Sequence, residues 1–530
     1  MTIVLPSFRI AGVRAWAILP LLAIRLAAQT PAFSPAALAP TPPMGWASWN
    51  RFFCDYDDQT IRAQADALVK TGMRDAGYKY LIIQECIAPT RDAAGNLVVD
   101  SQRFPRGMKD LVDYIHSRGL KAGIYTDVGP NTCFAKPLYE GSYNHEAQDA
   151  AQFASWGMDL IEDDFCHKPK EETGRELYRR MQDGILKTGR PMLLYICSWG
   201  GENPWEWGGP VGQLWRTTGD ISMKKNKVEW RYIIDNFDRN SRQAVFNAPG
   251  GWNDPDMLEV GNNGISLEEA RAHFTMWAIS AAPLWAGTDL TELTPEYLAI
   301  HMNREVIAVD QDPLGDQARK VREETPGLQV WSKILGSRVG GSRAVMLLNR
   351  NGEAAKIQVS WSDLGLEAGG ARVRDLWGGA DLGTLKDGYA APVPSHGAVL
   401  IKVEGKLSLA HGITYEAEYP GNLRRNGAVL TACKECSGGY AVSLDSASAT
   451  LEIPRLEAPK AGAYTIQIFG SEGGPVTLRV NGGKPAPAAA TGGGPAVVSV
   501  KLVARNQLVI ANAGSGAVRL DKIVVMPVRR

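Results

Sequence analysis

The sequence predicts an α/β fold, in which a (β/α)8 TIM barrel is followed by an antiparallel β domain and a C-terminal β-sandwich. Between residues 41 and 312, short apolar runs alternate with helical stretches. That stretch of about 270 residues has the length typical of such a barrel. Polar side chains follow several of the runs directly. Beyond residue 320 the pattern changes to short alternating strands separated by Gly and Asp turns.

Eight strands are predicted for the barrel, and all of them are short and largely apolar. Such runs are typical of parallel strands that are buried on both faces. Helical stretches separate them, as at 58–73 and 106–118. The predicted strands are 44–46, 80–83, 119–125, 158–161, 191–196, 214–217, 251–252 and 277–285.

Acidic and amide side chains follow these strands at the end where the active sites of TIM barrels lie. The clearest case is 158–166, in which a short apolar strand runs into three consecutive carboxylates. Any one such acid is explained as the N-cap of the next helix. Their recurrence after several strands instead predicts one site at the barrel mouth. The residues are Gln84, Glu85, Asp127, Glu162, Asp163, Asp164, Asp220, Asn253, Asp254 and Asp256.

Paired carboxylates beside Trp, Tyr and hydrogen-bonding groups predict glycoside hydrolysis. Indole rings stack on the C–H faces of sugars, and carboxylates accept hydrogen bonds from sugar hydroxyls. No Ser/His/Asp set and no Gly-rich phosphate loop is evident in the sequence. A metal-dependent hydrolase is disfavoured because the His/Asp ligand spacing is missing. The alternative from another class is a lectin-like protein that binds glycan without cleaving it.

Composition and the N-terminus predict an exported protein with no nucleic-acid partner. The 57 Lys and Arg residues balance 57 Asp and Glu residues, so attraction to a polyanion is not expected. Arg9 and Arg14 precede an apolar run at 15–24 and small residues up to Ala28, as in a signal peptide. We expect residues 1–30 to be removed and the mature protein to be secreted or periplasmic. No later run reaches the roughly 18 apolar residues of a membrane span.

Three globular units are predicted after the signal peptide. A chain of 530 residues is long enough for two to four domains. The predicted units are the catalytic barrel at 31–317, the antiparallel β domain at 318–405 and the β-sandwich at 412–530.

Six segments carry a resemblance to a known family. They are 41–46 (TPPMGW), 104–108 (FPRGM), 119–127 (GLKAGIYTD), 215–221 (WRTTGDI), 251–258 (GWNDPDML) and 306–312 (VIAVDQD). They resemble glycoside hydrolase family 27, which contains α-galactosidases, α-N-acetylgalactosaminidases and β-L-arabinopyranosidases. The resemblance covers about residues 41–405. It implies catalysis with retention and without a cofactor, by two carboxyl groups about 5–5.5 Å apart.

The resemblance also implies roles for individual residues. Asp164 takes the place of the nucleophile, and Asp220, four residues after Arg216, takes the place of the general acid/base. The positions implied to bind substrate are Trp46, Gln84, Glu85, Tyr125, Glu162, Ser198, Arg216 and Asp256.

Seven cysteines in an exported chain suggest disulfides and leave at least one thiol unpaired. The resemblance implies the pairs Cys54–Cys86 and Cys133–Cys166, with Cys197 free. Cys433 and Cys436 are close enough in sequence to pair across a turn.

Four positions depart from what the resemblance implies for the α-galactosidases of the family. Gln84 and Glu85 stand where these enzymes carry two Asp residues, Glu162 stands where they carry Lys, and Asp163 replaces the usual aromatic residue. The extra methylene of Glu85 is expected to fill the space of the C6 hydroxymethyl group, which β-L-arabinopyranose lacks. Ser198, with Gly201, leaves room for a 2-acetamido group. The leading expectation is a terminal α-D-galactose of plant-type glycans; β-L-arabinopyranosidase and then α-N-acetylgalactosaminidase are the alternatives.

The C-terminal unit carries a candidate metal site. Glu416 and Glu418 share one face of a strand, and Asp521 can join them as an oxygen ligand of a structural Ca²⁺. An acidic strand edge without a metal is the alternative. The segments 415–418 (YEAE), 436–439 (CSGG) and 520–523 (LDKI) resemble carbohydrate-binding module family 35. That resemblance implies a jelly roll that binds Ca²⁺ at these carboxylates and holds the enzyme on polysaccharide.

Overall fold

The computed structural model describes residue 1 and residues 37–134, 138–221, 227–470, 474–488 and 494–528. Apart from residue 1, the predicted signal peptide lies outside the described residues. Among the residues that are described, no helix combines the length and the apolar character needed to cross a membrane.

Eight parallel strands form the barrel in the order that the sequence predicts. The first seven pair in chain order, and the eighth pairs with the first. Leu258 bridges the seventh and eighth strands, because its NH donates to Trp285 O at 2.7 Å. The strands are β1 (Met44–Ala47), β2 (Tyr80–Ile83), β3 (Lys121–Asp127), β4 (Leu160–Asp164), β5 (Leu193–Cys197), β6 (Leu214–Arg216), β7 (Trp252–Asp254) and β8 (Leu284–Ala286).

Helices connect the barrel strands. Two of them begin with a capping box, formed by Thr173 with Glu176 and by Ser266 with Glu269. The α-helices are Trp49–Phe52, Asp58–Lys70, Met73–Ala76, Gly107–Ser117, Glu146–Trp156, Gly174–Thr188, Pro204–Trp207, Trp230–Ser241, Leu267–Ser280, Pro295–His301 and Arg304–Asp310, with a 3₁₀ turn at Ala244–Phe246 and a short hairpin of Thr90–Arg91 with Leu97–Val98.

The predicted strand at 277–285 is wrong in its first part. Residues up to Ser280 belong to the helix that begins at Leu267, and only Leu284–Ala286 form β8. Every residue from Ala272 to Ser280 is buried. The end of this helix therefore lacks the polar face by which a sequence distinguishes a helix from a buried strand.

An antiparallel β domain follows the barrel and packs against it. Trp331, Met346 and Leu400 on one face of its main sheet join the hydrophobic core of the barrel. Val345 and Leu347, which alternate with Met346 along one strand, belong to a separate core on the other face. The sheet contains, in spatial order, Arg319–Thr325, Leu328–Ile334, Ser342–Asn349, Ala398–Glu404, Ala371–Asp375 and Ala380–Leu385; Ala355–Ser360 pairs with Gly388–Val393, and Ser362–Leu364 is a 3₁₀ turn.

The C-terminal unit consists of β-strands around a third hydrophobic core, with buried residues from Ile413 to Val525. Three antiparallel sheets build it. The first contains Ile413–Glu416, Lys522–Pro527, Gly462–Phe469 and Ala496–Leu502; the second contains Leu423–Arg425, Thr450–Glu457, Arg505–Asn512, Val476–Val480 and Ala486–Ala488; the third contains Ala428–Ala432, Tyr440–Leu444 and Val518–Leu520.

Candidate active site

A cavity of about 500 Å³ lies at the carboxyl ends of the barrel strands. Acids that follow different strands converge on it, as the sequence predicts for a barrel mouth. The residues that line it are Trp49, Asn50, Gln84, Glu85, Tyr125, Cys133, Phe134, Glu162, Asp164, Cys166, Cys197, Trp199, Arg216, Asp220, Asp256 and Met257.

Strand β4 separates its three consecutive carboxylates by the alternation of side chains along a strand. Glu162 and Asp164 line the cavity. Asp163 is buried without lining it, and burial together with the charge of Glu146 raises its pKa. Its Oδ1 has no hydrogen-bond partner within the described residues. Two of the three acids are therefore available for chemistry.

Asp164 is buried at the end of β4 and is oriented by two donors. The Tyr125 hydroxyl donates to its Oδ2 at 2.6 Å, and the Phe165 NH donates to its Oδ1 at 2.9 Å. The disulfide sulfur of Cys133 lies 3.0 Å from Oδ2 and, having no proton, does not donate. Burial raises the pKa of Asp164 to about 7, and the two donors oppose that rise. The hydrogen bonds thus stabilise the ionised form that a nucleophile requires.

Arg216 joins two further acids of the cavity. Its Nη2 lies 3.0 Å from Asp220 Oδ1, and its Nη1 lies 3.1 Å from Asp256 Oδ1. Asp256 is buried and accepts a hydrogen bond from the Ile221 NH at 2.7 Å, and burial raises its pKa to about 7. The side chain of Asp220 is 26% exposed. Of these two acids, Asp220 is the one that can exchange a proton with a leaving group or with water.

Gln84 and Glu162 form a hydrogen-bonded pair on the cavity wall. Nε2 of Gln84 donates to Oε2 of Glu162 at 2.7 Å, and Oε1 of Gln84 accepts from the Trp49 NH at 2.9 Å. Burial, and secondly the charge of Asp164, raise the pKa of Glu162 to about 8. Glu162 is therefore mainly protonated at pH 7, so it adds little negative charge beside the neighbouring Asp164.

The carboxylate of Glu85 holds the loop that carries Cys133. Its Oε1 accepts from the Phe134 NH at 2.9 Å and lies 3.1 Å from the Tyr125 hydroxyl, whose proton is donated to Asp164. Its Oε2 accepts from the Thr132 hydroxyl at 2.8 Å. Glu85 lines the cavity, but both of its oxygens are engaged by this loop.

Two family models match consecutive parts of the chain. The model described as alpha galactosidase A matches residues 41–312, and the model described as alpha galactosidase C-terminal beta sandwich domain matches residues 325–403. The chain belongs to the α-galactosidase family of glycoside hydrolases. The C-terminal unit lies outside both matches.

Curated relatives agree with this assignment. The α-galactosidase of Oryza sativa is 45% identical to this glycosidase over 346 residues, which cover 64% of this chain and 79% of the relative. Alpha-galactosidase A of Cellvibrio japonicus is 41% identical over 383 residues, which cover 69% of this chain and 92% of the relative.

Solved structures share the fold. Alpha-galactosidase I of Mortierella vinacea gives a TM-score of 0.66 at 34% identity, covering 71% of this chain and 100% of that enzyme. A GH27 β-L-arabinopyranosidase of Geobacillus stearothermophilus gives a TM-score of 0.63 at 24% identity, covering 70% of this chain and 98% of that enzyme. At that identity the likeness concerns the fold alone, so the fold does not decide which sugar this glycosidase accepts.

Two positions implied to bind substrate do not reach the cavity of this glycosidase. Trp46 on β1 is fully buried, and its indole NH donates to Thr288 O at 2.7 Å. Trp49, which begins the next helix, lines the cavity instead. Ser198 is also buried, and its hydroxyl donates to the carbonyl of Gly201 at 3.2 Å within its own turn. The space expected for a 2-acetamido group beside Ser198 is therefore not part of the cavity.

Several lining residues have no substrate role assigned from the sequence. Trp199 lies two residues beyond the end of β5, and its place after a strand indicates a position at the barrel mouth. Phe134 gives no such signal, because its loop reaches the cavity through the disulfide of Cys133. Further such positions are Asn50, Trp49 and Met257.

The cysteines pair in three disulfides within the described residues, namely Cys54–Cys86, Cys133–Cys166 and Cys433–Cys436. Cys197 is free and buried, and it lines the cavity. Burial raises the pKa of its thiol, so it is a poor nucleophile.

One group of possible metal ligands lies beside the cavity, where Asp127, Cys133, Asp164 and Cys166 have ligand atoms within 4.8 Å of one another. Both cysteines are in a disulfide and offer no thiolate to a metal. This group is therefore not a metal site.

Two of the three predicted metal ligands of the C-terminal unit, Glu416 and Asp521, share Ser437 as a hydrogen-bond partner. The Ser437 hydroxyl lies 2.7 Å from Glu416 Oε2 and 3.0 Å from Asp521 Oδ1, and its single proton can be donated to either. Glu418 is buried beside them, and neither of its carboxylate oxygens has a hydrogen-bond partner among the described residues. Burial raises its pKa to about 8. Arg319 of the β domain lies 3.2 Å from Glu416 Oε1 and supplies part of the positive charge that these acids attract.

Proposed function

We propose that this glycoside hydrolase removes terminal α-D-galactosyl residues from oligo- or polysaccharides by a retaining double displacement. One observation carries the proposal: Asp164 and Asp220 line the same cavity in complementary environments. Tyr125 stabilises Asp164 as an anion, whereas Asp220 is partly exposed beside Arg216. A matched nucleophile and acid serve catalysis, and a lectin needs neither.

The reaction proceeds in two displacements. A carboxylate oxygen of Asp164 attacks the anomeric carbon as the bond to the glycosidic oxygen breaks, and Asp220 gives its proton to the departing oxygen. Asp220, now ionised, then takes a proton from a water whose oxygen displaces Asp164 from the anomeric carbon. Arg216, 3.0 Å from Asp220, stabilises the carboxylate that exists between the two steps. Two inversions give net retention.

Two alanine variants separate these roles. Asp164→Ala lacks the nucleophile and is expected to lose at least about 1,000-fold in kcat on every α-galactoside. Asp220→Ala is expected to lose a similar factor on a galactosyl disaccharide, whose leaving group needs a proton. On α-D-galactosyl fluoride it should lose far less, because fluoride leaves without protonation.

Thermal unfolding checks that both variants fold. Equal losses of the two variants on the fluoride would contradict the assignment of roles. A wild-type protein that binds the disaccharide but hydrolyses neither substrate would favour the lectin-like alternative.

The choice of sugar rests on Glu85 and on the relatives. The α-galactosidases at 41–45% identity support galactose, whereas the extra methylene of Glu85 in the cavity wall supports β-L-arabinopyranose. Rates on an aryl α-D-galactopyranoside and an aryl β-L-arabinopyranoside, each measured with Glu85→Asp as well, discriminate between them. We expect the galactoside to be preferred. A preference for the arabinoside that Glu85→Asp reverses would show that this methylene excludes C6.

We further propose that residues 1–30 form a signal peptide and that the enzyme acts outside the cytoplasm on plant-type glycans. The mature units are the barrel at 31–317, the β domain at 318–405 and the β-sandwich at 412–530. The disulfides support an oxidising compartment. N-terminal sequencing of protein recovered from the periplasm or medium tests this, and an intact Met1 would contradict it.

We also propose that Glu416, Glu418 and Asp521 hold a structural Ca²⁺ in the C-terminal unit. The unpartnered oxygens of buried Glu418 support the proposal, because such oxygens are costly unless a cation or donor satisfies them. Added Ca²⁺ should raise the unfolding temperature of the wild type and should not raise that of Glu418→Gln. Glu452→Gln changes a carboxylate that pairs with Arg425 at 3.2 Å elsewhere in this unit, and it serves as the control.

A further inference from the structure

The segment that follows β5 has an unusual backbone. Trp199, Gly200, Glu202 and Asn203 all have positive φ angles, of 54°, 80°, 58° and 50°. For residues other than glycine such a conformation is costly, and it persists only where neighbouring groups hold it. The conformation of the segment 198–207 therefore depends on its contacts.

Trp199 is the residue of this segment that lines the cavity. The residue is 37% exposed, and its ring packs edge-on against that of Phe165 with centroids 6.4 Å apart. A terminal sugar that reaches buried Asp164 lies inside the cavity, so the next sugar of the chain lies toward solvent. There the indole of Trp199 offers an exposed face on which the C–H face of a sugar can stack.

Glu202, in the first part of the segment, is held by one donor from the barrel and by one from the end of the segment itself. The Gly174 NH donates to Glu202 Oε2 at 2.7 Å, and the Trp207 indole NH donates to the Glu202 carbonyl at 2.8 Å. The next residue, Asn203, donates through its side-chain amide to Glu206 Oε1 at 3.0 Å. The left-handed backbone conformation at Asn203 is thus stabilised by Glu206.

The C-terminal unit also holds Glu206, through Tyr440. The Tyr440 hydroxyl donates to Glu206 Oε1 at 2.7 Å and accepts from the Trp205 indole NH at 3.2 Å. Its ring packs edge-on against Phe246 of the barrel, with centroids 4.9 Å apart. A single side chain of the C-terminal unit therefore contacts two consecutive residues of the segment that carries Trp199.

Tyr440 is itself fixed within the C-terminal unit. It begins the strand Tyr440–Leu444, just after the turn that the disulfide of Cys433 and Cys436 closes. In that turn the Ser437 NH donates to Asp521 Oδ1 at 2.9 Å. The contact with Glu206 therefore comes from a turn that is anchored to the body of the unit.

We propose that the C-terminal unit contributes to substrate binding, in that Tyr440 holds the segment 198–207 so that Trp199 binds the sugar on the leaving-group side of the scissile bond. The substrate class is accordingly a glycan with a second sugar unit, rather than any galactoside. Tyr440 acts as a positioning residue, and Trp199 contacts the substrate. This inference rests on the proposed glycosidase function.

Kinetics on two substrates test the proposal, because only one of them has a second sugar. In Tyr440→Phe the ring that packs on Phe246 remains and the hydroxyl is lost. We expect KM for an α-1,6-linked galactosyl disaccharide to rise by about threefold to tenfold, the fold-change that corresponds to one ordinary hydrogen bond. The kcat/KM for α-D-galactosyl fluoride should change less than about twofold. Trp199→Ala removes the proposed contact itself and should raise KM for the disaccharide by more than Tyr440→Phe does.

Tyr464→Phe is the matched control. The Tyr464 hydroxyl donates to the Lys460 carbonyl at 2.8 Å within the C-terminal unit, so this variant loses a hydroxyl of similar kind with no contact to the barrel. We expect its KM values to be those of the wild type. Parallel losses on both substrates in Tyr440→Phe, or no loss on the disaccharide, would overturn the proposal.

Amide hydrogen exchange supplies a measurement that needs no activity. Exchange in the segment 198–207 should be faster in Tyr440→Phe and in Glu206→Gln than in the wild type, and unchanged in Tyr464→Phe. Unchanged exchange in the first two variants would refute the role of Tyr440. Failure of the wild type to hydrolyse both galactosides would refute the proposed function instead, and the exchange data would still decide whether Tyr440 holds the segment.

Discussion

The side-chain amide of Gln84 donates to Oε2 of Glu162 at 2.7 Å, on the wall of the cavity that contains Asp164. Because burial raises the pKa of Glu162 to about 8, this pair is neutral at the pH at which Asp164 must be ionised. An additional acid near the nucleophile is thus accommodated without a second negative charge. This arrangement explains how Glu162 is compatible with catalysis at a position where the family resemblance implies a cation.

The first prediction concerns the protonation state of Glu162. Glu162→Gln keeps a neutral side chain of the same length with an acceptor for Gln84, whereas Glu162→Ala removes the partner of that amide. We expect kcat/KM at pH 6 to be about tenfold higher in the Gln variant than in the Ala variant, because the Ala variant leaves a buried amide unpaired. Equal losses in both variants would mean that the ionised carboxylate of Glu162 is needed.

A second prediction concerns Tyr125, whose hydroxyl donates to Asp164 Oδ2 at 2.6 Å. Tyr125→Phe removes a hydrogen bond to the ionised acid, so the pKa of Asp164 should rise further above its ordinary value. We expect the acidic limb of the kcat/KM profile to move to higher pH and kcat to fall by about 10- to 100-fold.

Tyr143→Phe is the control for this experiment. Its hydroxyl donates to Glu172 at 2.7 Å, away from the cavity-lining residues. A pH profile of Tyr125→Phe that coincides with the control would show that the hydroxyl of Tyr125 does not stabilise the nucleophile.

A third prediction separates the structural contribution of Glu85 from its contribution to specificity. Its carboxylate accepts from Thr132 at 2.8 Å and from the Phe134 NH at 2.9 Å. Glu85→Ala leaves these buried or partly buried donors without their acceptor, and we expect it to lower the free energy of unfolding by about 1–3 kcal/mol. Thr132→Val removes one of these donors and should cost less. Urea denaturation measures both, and equal stability of wild type and Glu85→Ala would contradict the argument.

The alternation of side chains on β4 could be predicted from the sequence, since period two places Glu162 and Asp164 on one face and Asp163 on the other. Trp46 could not be distinguished from Trp49 in this way. Both lie near the end of β1, and only the packing of the barrel shows that Trp46 is buried against Thr288. The first part of 277–285 could not be recognised as helix from the sequence, because a helix that is buried on all sides has no alternation of apolar and polar faces.

Long-range contacts were the least predictable part of the site. The hydroxyl of Tyr440 reaches Glu206 across a separation of 234 residues, between units whose relative placement no local pattern determines. The contacts of Glu85 could not be predicted either, because its residue type predicts a hydrogen-bond acceptor for a sugar hydroxyl. Its actual partners lie on the loop of Thr132 and Phe134. Residue type and strand position predicted where the site lies, and packing determined what each acid contacts.

The last prediction concerns stability against pH. Burial raises the folded-state pKa of Glu162, Glu259, Asp310 and Glu418 to about 8 and that of Asp164 and Asp256 to about 7. The folded state therefore holds protons that the unfolded state releases above its ordinary carboxyl pKa of about 4–4.5. Their contribution to stability is complete below that pKa. As pH rises to about 8, the free energy of unfolding falls by about 1.4 kcal/mol per pH unit for each such proton.

Two buried histidines act in the opposite direction, because burial lowers the pKa of His273 to about 3 and that of His301 to about 4. They favour the folded state above about pH 6.5 and reduce its stability as pH falls below that value. Six carboxyls outweigh them, so we expect a higher urea midpoint at pH 5 than at pH 8. Glu162→Gln, which cannot ionise, should reduce this difference, because one proton fewer distinguishes the folded from the unfolded state. A midpoint that is higher at pH 8 would mean that the buried carboxyls are ionised in the folded protein, with their charges compensated by neighbours such as Arg216.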